Sequence, residues 1–226
     1  MQAGVSMNIF DILGPVMVGP SSSHTAGAVR IGLIARQLLG ETPDTAEIYL
    51  HGSFADTGHG HGTDRALVAG LLGMEPDDSR VPDSYNVAAE CGMKFSIKEK
   101  SLRGAHPNTA QLIIRNKSGR EVNVQASSIG GGRIQVNKLD GMDVCFSAEN
   151  NTLIISNADR PGLVADVSSL LASVSVNIAT LQLFRDRRGG TAVMVYEIDH
   201  PLSPSMVQVL EQFDGVIKAT YINVKL

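Results

Sequence analysis

Apolar positions in the last third of the chain recur in an order that predicts six elements of secondary structure. Their spacing alternates between the period of two typical of strands and the wider period of an amphipathic helix. The predicted order is strand, helix, strand, strand, helix, strand, which is the ferredoxin-like plan. The elements are a strand over 152–156, a helix beginning near 163, strands over 177–184 and 191–198, a helix over 204–213 that Ser203 caps, and a strand over 216–224.

The pattern before residue 148 predicts a mixed arrangement. Ser23 is a suitable N-cap for a helix that runs to about Leu39. A strand over 47–54 follows, and a loop carrying histidines leads into a helix over 64–72. Short strands are expected at 95–97, 112–114, 122–124 and 134–136, with a hairpin turn at 116–120.

These patterns predict an α+β protein of two domains. The first, over 1–148, is a mixed α/β domain of the substrate-binding type with a largely antiparallel sheet. The second, over 149–226, is the ferredoxin-like domain. The polar segment 147–151 predicts the boundary between them.

Composition and charge narrow the classes of partner and compartment. The net charge is −4 and no basic run is present, so nucleic acid is not an expected partner. No apolar stretch approaches the roughly 18 residues of a membrane span, and no secretory signal pattern is found, so a cytoplasmic protein is expected. Cys91 and Cys145 are expected to be buried free thiols, with a disulfide left open.

Histidines are concentrated in three short motifs rich in glycine, serine and threonine. The motifs are Pro20–Gly27, Thr57–Asp64 and Ala105–Thr109, and five of the six histidines lie in the first half of the chain. Histidine is the side chain best suited to move protons near neutral pH. Adjacent glycines let backbone N–H groups approach an anion closely. The first half therefore predicts a site for a small polar molecule.

The second motif carries two histidines, His59 and His61, each flanked by glycine. This arrangement favours a general base, because an imidazole near its normal pKa can accept a proton from carbon or oxygen. A metal pair completed by Asp64, His51 or His106 remains open, as does a glycine-rich turn with exposed histidines.

Hydroxyl groups and glycines form two candidate anion-binding segments. The serines of the first motif lie at a predicted helix N-terminus, whose N–H groups favour a carboxylate or phosphate, although an ordinary serine cap is the alternative. Segment 127–132 is either a backbone anion site or a tight bend. The candidate substrate-binding residues are Ser21, Ser22, Ser23, Thr25, Ser128, Gly130 and Gly131.

Together these motifs resemble the beta subunit of the bacterial iron–sulfur-dependent L-serine dehydratase, or L-serine ammonia-lyase. The matching segments are Gly19–Thr25, His51–Phe54, Gly60–Asp64, Ala105–Thr109 and Ser128–Gly132. The second half resembles an ACT domain. The first half also resembles the substrate-binding regulatory domain of some phosphoglycerate dehydrogenases.

The resemblance implies that the chain takes part in converting L-serine to pyruvate and ammonia. It implies a [4Fe–4S] cluster on a separate alpha subunit, where one iron acts as a Lewis acid on the serine hydroxyl. Two cysteines cannot hold such a cluster here, and no metal ligands of its own are expected.

Residue roles are also implied by the resemblance. His61 is the first choice for the base that removes the Cα proton, with His59 less certain. His24 and Ser22 hold the substrate carboxylate or the base, Asp64 orients an imidazole, and His106 closes the site.

In the ACT domain, the resemblance implies either binding of an amino-acid effector or pairing of two copies of the chain. The expected effector ligands are Asp159, Arg160, Gly162 and Asn177. Two other functions remain open for the whole chain: a non-catalytic serine sensor that regulates a partner, and an independent metal hydrolase.

Overall fold

The computed structural model describes residues 16–223, except for the side chain of His59. The chain divides into two compact units, the first ending at Gln135 and the second beginning at Val136. Among the described residues, no helix is long and apolar enough to cross a membrane.

The described chain up to residue 146 contains helices and a six-stranded sheet. A π-helical turn, Ser22–Gly27, precedes α1 (Ala28–Leu39), α2 (Ser53–His61), α3 (Thr63–Leu71), a 3-10 turn (Val81–Asp83) and α4 (Ser84–Cys91). The strands are β1 (Thr45–His51), β2 (Lys94–Glu99), β3 (Thr109–Arg115), β4 (Glu121–Gly130), β5 (Arg133–Leu139) and β6 (Met142–Phe146).

The sheet has the strand order β2-β1-β3-β4-β5-β6. β1 pairs in parallel with β2, whereas the β1–β3, β3–β4 and β5–β6 pairs are antiparallel. Alternation along β1 buries Ala46, Ile48 and Leu50 on one face, as the period of two requires. The prediction of an α+β fold with a largely antiparallel sheet is confirmed.

Helices α1 and α3 pack through their backbones at two glycines. A Cβ added to Gly32 would lie 2.3 Å from the carbonyl oxygen of Leu67, and one added to Gly70 would lie 2.0 Å from that of Val29. Any side chain at these positions would therefore push the helices apart.

Two local predictions in the first half are wrong. The N-cap is Ser21 rather than Ser23, because the Ser21 hydroxyl accepts the His24 backbone N–H and a π-helical turn precedes α1. The histidine segment is helix α2 rather than a loop, and it begins two residues after β1 ends at His51. Helix α4 and strand β6 were not predicted.

The second unit contains the predicted ferredoxin-like order. The elements that follow β6 in this unit are β7 (Asn151–Ala158), α5 (Leu163–Ser173), β8 (Ile178–Arg185), β9 (Thr191–Ile198), α6 (Pro204–Glu211) and β10 (Val216–Ile222). The sheet order is β10-β7-β9-β8, with antiparallel pairs throughout. The end of the last strand predicted at 224 lies outside the described residues.

The core of this unit follows the predicted apolar face of α5. Leu163, Val167 and Leu171 are buried against β-strand residues such as Met194 and Tyr196. Ser203 caps α6 as predicted, since its hydroxyl accepts the Met206 N–H at 3.3 Å.

Cys91 and Cys145 are both exposed, and the two do not form a disulfide. The prediction that they are buried is wrong. Cys91 ends the short helix α4, and Cys145 lies in β6 at a position that faces away from the core, between buried Val144 and Phe146.

Candidate active site

The serine-rich motif folds as a π-helical turn with His24 near its beginning. Its backbone is fixed by a hydrogen bond from the Thr25 N–H to the Ser21 carbonyl oxygen at 2.8 Å. The Ser21 hydroxyl accepts the His24 N–H at 3.1 Å. π-Helical turns are rare in proteins, and those that occur are often found at functional sites. This geometry therefore indicates that the segment belongs to a functional site.

The second motif is presented by helix α2. Gly52 precedes the helix at a φ of 55°, and a Cβ there would lie 2.8 Å from the Pro107 carbonyl oxygen, so only glycine fits. Gly62 ends the helix in the left-handed conformation. Ser53, Thr57 and His61 follow one another at a spacing of four residues and therefore share one face of α2.

That face of α2 contacts the imidazole of His24. The Nε2 atom of His24 lies 3.1 Å from the Ser53 hydroxyl and 3.1 Å from the Thr57 hydroxyl. Thr57 donates its single hydroxyl hydrogen to the Ser53 carbonyl oxygen at 2.8 Å. With that hydrogen directed to Ser53, the Thr57 oxygen is an acceptor for Nε2, which favours the neutral tautomer of His24 that carries its proton on Nε2 and its lone pair on Nδ1.

The electrostatics of the site favour the neutral form of His24. Burial lowers the pKa of His24 from its ordinary value, the contact with Ser53 opposes that shift, and the charge of His61 lowers the pKa further. The rings of His24 and His61 lie 5.2 Å apart between centroids, and Phe54 packs edge-on against His24 at 5.3 Å. The imidazole of His24 is thus held between the π-helical turn and α2, in surroundings that favour its neutral form.

His61 differs from His24 in exposure and in bonding. It is exposed at the last position of α2. Neither ring nitrogen of His61 has a hydrogen-bond partner among the described side chains and backbone groups, and its ring contacts that of His24. Of the two histidines, His61 is the one whose lone pair is available to a ligand.

The loop that carries His106 lies against the start of α2. The Phe54 N–H donates to the Pro107 carbonyl oxygen at 3.4 Å, and the Ser128 N–H donates to that of Asn108 at 2.9 Å. His106 itself is exposed, and its Nδ1 accepts the Asn108 N–H at 3.1 Å. The third motif is therefore joined both to α2 and to the end of β4.

His51 holds the other end of that loop, since its Nδ1 accepts the Leu102 N–H at 3.2 Å.

Two hydroxyls predicted to bind substrate are buried without a hydrogen-bond partner. They belong to Thr25, which is 3% exposed, and Ser128, which is fully buried. A Cβ added to Gly27 would lie 2.2 Å from the Ser128 hydroxyl, so β4 packs directly on the π-helical turn. Unpaired buried hydroxyls cost free energy and mark positions where a polar ligand or water is expected.

The glycines after Ser128 form the bend between β4 and β5. Gly130, Gly131 and Gly132 all have positive φ, at 101°, 61° and 75°. The tight-bend interpretation therefore describes this segment. The Gly132 carbonyl oxygen accepts from Arg30 of α1 at 3.1 Å.

The remaining candidates of the first half are Asp64, Ser22, Ser23 and His59. Asp64 is nearly buried at the start of α3 and accepts from the Tyr85 hydroxyl at 2.8 Å. Ser22 and Ser23 are half-buried in the π-helical turn. The side chain of His59 lies outside the described part of the chain.

The described side chains of this chain do not form the ligand set that a metal ion would require. Within the described residues, no group of three or more histidine, cysteine, aspartate or glutamate side chains is arranged to hold a metal ion. The two cysteines of the chain do not fit a [4Fe–4S] cluster, which needs three or four thiolates.

The predicted effector residues of the second unit are bonded to its own loops. The Asp159 carboxylate accepts the Gly189 N–H at 2.9 Å, and Asn177 donates to Asp199 at 2.7 Å. Gly162 precedes α5 at a φ of 96°. Arg160 pairs with Asp214 at 3.3 Å.

Arg160 also borders an open groove of about 540 Å³ in this unit. The groove is lined by Arg160, Asp166, Ser169, Leu170, Phe213 and Asp214. Of the four expected effector ligands, Arg160 alone is among these lining residues.

Sequence reasoning missed Ser53 and Thr57, which hold His24. Their signal was the spacing of 53, 57 and 61, which places two hydroxyls and an imidazole on one helix face. Because the glycines of this segment predict a loop, the sequence alone does not place the three side chains on a helix face.

Two family models match separate parts of the chain. The sequence model of the family described as serine dehydratase beta chain matches residues 8–91, and that of the ACT domain matches residues 151–215.

Two relatives match the chain over almost its whole length. It is 36% identical over 215 residues to a probable L-serine dehydratase, beta chain, of Bacillus subtilis (strain 168), covering 95% of this chain and 97% of that one. It is 37% identical over 216 residues to the L-serine dehydratase, beta chain, of Peptoniphilus asaccharolyticus, with coverage of 95% and 97%. A D-3-phosphoglycerate dehydrogenase of Archaeoglobus fulgidus is 26% identical over 200 residues, which are 86% of this chain but 37% of that enzyme.

Proposed function

This chain belongs to the serine dehydratase beta chain family, and on that premise we propose that it is the beta subunit of an enzyme that deaminates L-serine. The products are pyruvate and ammonia, and the enzyme is active only when this chain is joined to an alpha subunit. The observation that carries the proposal is the contact of neutral His24 with the face of α2 that ends in His61.

His61 is the proposed general base. Its ring nitrogens make no hydrogen bond in the described chain, whereas His24 commits Nε2 to Thr57 and faces Ser21 at 3.5 Å with Nδ1. A neutral His24 adds no positive charge beside His61, so an imidazolium that forms on His61 meets no like charge there. His24 is therefore assigned to positioning.

The chemistry of the site follows from these roles. A ring nitrogen of His61 accepts the proton from Cα of serine, and the electron pair of that bond forms the Cα–Cβ double bond. The Cβ–O bond breaks, and the hydroxyl group leaves as water after taking up a proton. The resulting enamine tautomerises to an imine, which water cleaves to pyruvate and ammonia.

The substrate carboxylate is assigned to the π-helical turn. Ser22 and Ser23 are half-buried and precede His24 in this turn, and the buried hydroxyls of Thr25 and Ser128 have no hydrogen-bond partner. Charge-assisted hydrogen bonds to a carboxylate are about twice as strong as neutral ones, so a few such donors suffice to orient serine.

The iron–sulfur cluster is assigned to the alpha subunit, because the cysteines of this chain do not fit it. The exposure of His61 also supports a partner. A base that abstracts a proton from carbon works best where water is excluded, and the described residues leave His61 open to solvent. We therefore place the alpha subunit over the surface at the end of α2.

Reconstitution tests this proposal. The chain alone, after anaerobic incubation with iron and sulfide, should show no stable Fe–S absorbance and no conversion of L-serine to pyruvate. Its mixture with the cluster-bearing alpha subunit should produce pyruvate and ammonia in equal amounts. A cluster that forms stably on the isolated chain would contradict the two-subunit proposal. L-Serine binding without turnover in the mixture would favour a serine sensor.

Ser22→Ala is expected to weaken substrate binding and to leave the rate of the chemical step almost unchanged. Loss of one hydrogen bond to a carboxylate corresponds to about 1.5–3 kcal/mol, so KM should rise by roughly ten- to a hundredfold with kcat little changed. Steady-state kinetics of the complex measure both quantities. Ser205→Ala, at an exposed serine of α6, is the control and should change neither. A fall in kcat with an unchanged KM would remove Ser22 from the carboxylate site.

For the second unit, we propose that it binds an amino-acid effector or pairs with a second copy of the chain. The groove beside Arg160 supports the first of these roles, since a guanidinium is a suitable partner for a carboxylate.

A further inference from the structure

A tyrosine on the short helix α4 reaches the start of α3. The Tyr85 hydroxyl donates to Oδ2 of Asp64 at 2.8 Å, while Oδ1 of Asp64 accepts the Arg65 N–H at 2.8 Å. Asp64 is 5% exposed. A carboxylate with so little contact with water depends on the donors that the protein supplies.

Further contacts join α3 to α4 and to the 3-10 turn that precedes α4. The Ser84 hydroxyl donates to the Arg65 carbonyl oxygen at 2.8 Å, and the Arg65 guanidinium donates to that of Pro82 at 2.6 Å. The guanidinium also lies 4.8 Å above the Tyr85 ring, and Phe95 packs against that ring at 4.9 Å. We call the contacts of Pro82, Ser84 and Tyr85 with Asp64 and Arg65 the α4 clamp.

The α4 clamp lies three residues from the proposed base. His61 is the last residue of α2, Thr63 is the first of α3, and Gly62 alone joins them in the left-handed conformation. Gly62 is hydrogen-bonded to both helices, because its N–H donates to the Gly58 carbonyl oxygen of α2 and its own carbonyl oxygen accepts the Ala66 N–H of α3 at 2.9 Å. The position of the last turn of α2 therefore follows that of the first turn of α3.

His61 is sensitive to such a shift. No described side chain holds it by a hydrogen bond, and its ring contact with His24 at 5.2 Å is set by the position of its backbone. A displacement of about 1 Å at a reacting group can lower a rate by about a hundredfold.

We propose that Tyr85 is a positioning residue for His61, acting through Asp64 and the junction at Gly62. The inference rests on the proposed function, since it takes His61 as the base. The Tyr85 hydroxyl keeps its proton over the working range of pH. Burial, and then the bond to Asp64, raise the pKa of Tyr85 above its ordinary value. Tyr85 touches neither substrate nor base.

The chain offers a closely matched control at Tyr49. Its hydroxyl donates to Glu47 at 2.9 Å, and Lys100 lies 4.8 Å above its ring. Tyr49 and Glu47 alternate along β1 with the buried Ile48 and Leu50, so they occupy the opposite face of the strand. Tyr49→Phe thus removes the same kind of bond away from the site.

The test compares Tyr85→Phe with Tyr49→Phe in the reconstituted complex. Tyr85→Phe keeps the ring, with its contacts to Arg65 and Phe95, so both variants should fold and melt within a few degrees of each other. We expect Tyr85→Phe to lower kcat about tenfold with KM within about twofold, and Tyr49→Phe to change neither. In an Asp64→Asn background, the added effect of Tyr85→Phe should be smaller.

A second readout does not depend on activity. In the isolated full chain, ¹H–¹⁵N correlation of the histidine side chains, with His61 assigned through a His61→Gln variant, should show His61 signals that move in Tyr85→Phe but not in Tyr49→Phe. Unmoved His61 signals, or equal kcat values for the two variants, would overturn the inference. If the wild-type complex does not turn over L-serine, the proposed function fails, and the NMR comparison alone decides the role of Tyr85.

Discussion

Replacing His61 with alanine is expected to abolish turnover of L-serine in the complex with the alpha subunit. Loss of a general base lowers a rate by about 10²–10⁴-fold. Binding should persist, because the base acts in the transition state whereas the contacts with the carboxylate act in both states. The measurement is kcat and KM from pyruvate release, together with the dissociation constant of L-serine for the variant complex.

His200→Ala is the control for this prediction. His200 is exposed in the loop after β9 and has no assigned role, so its removal should leave kcat unchanged. A His61→Ala complex with near-normal kcat would exclude His61 as the base. The next candidates would then be His59, His24 and His106, or a residue of the alpha subunit.

The architecture of the second unit was predictable because each local signal agreed with the final fold. The strand predicted over 191–198 coincides with β9. Ser203 and Pro204 are favourable at the cap and first position of a helix, and α6 begins there. The apolar face predicted for α5 packs on the sheet. Local preference and tertiary packing point the same way in this unit.

The histidine segment of the first unit shows where local signals fail. Glycine lowers helix stability by about 1 kcal/mol, and Gly58, Gly60 and Gly62 lie close together, so a loop was the natural prediction. Tertiary contacts override that preference. Ser53 and Thr57 bond the ring of His24, twenty-nine and thirty-three positions away, and Phe54 is buried.

The candidate site was predictable as a set of motifs but not as a geometry. Glycine, serine and histidine at those positions predicted a polar site, and the structure joins all three motifs around His24 and the start of α2. Which histidine is bonded and which is available depends on contacts between segments that are distant in sequence. The link from Tyr85 to Asp64 spans twenty-one residues and leaves no local pattern.

Gly70→Ala is expected to destabilise the first unit by about 2 kcal/mol or more. Alanine gains up to about 1 kcal/mol over glycine inside a helix, but overpacking a tight contact typically costs about 1–3 kcal/mol and occasionally more. Here the cost of overpacking exceeds the gain in helix propensity. The new Cβ would lie 2.0 Å from the Val29 carbonyl oxygen and 2.8 Å from Cα of Gly32, and these backbone atoms cannot rotate away. Hydrogen exchange of the Ile31 amide in α1 measures the loss of stability in the first unit, separately from the second unit.

The control is Gly60→Ala, which makes the same change in helix α2. There the added Cβ meets no atom within 4 Å, so this variant should leave stability unchanged or raise it slightly. Equal exchange rates in the two variants would show that α1 and α3 do not depend on backbone contact at Gly70.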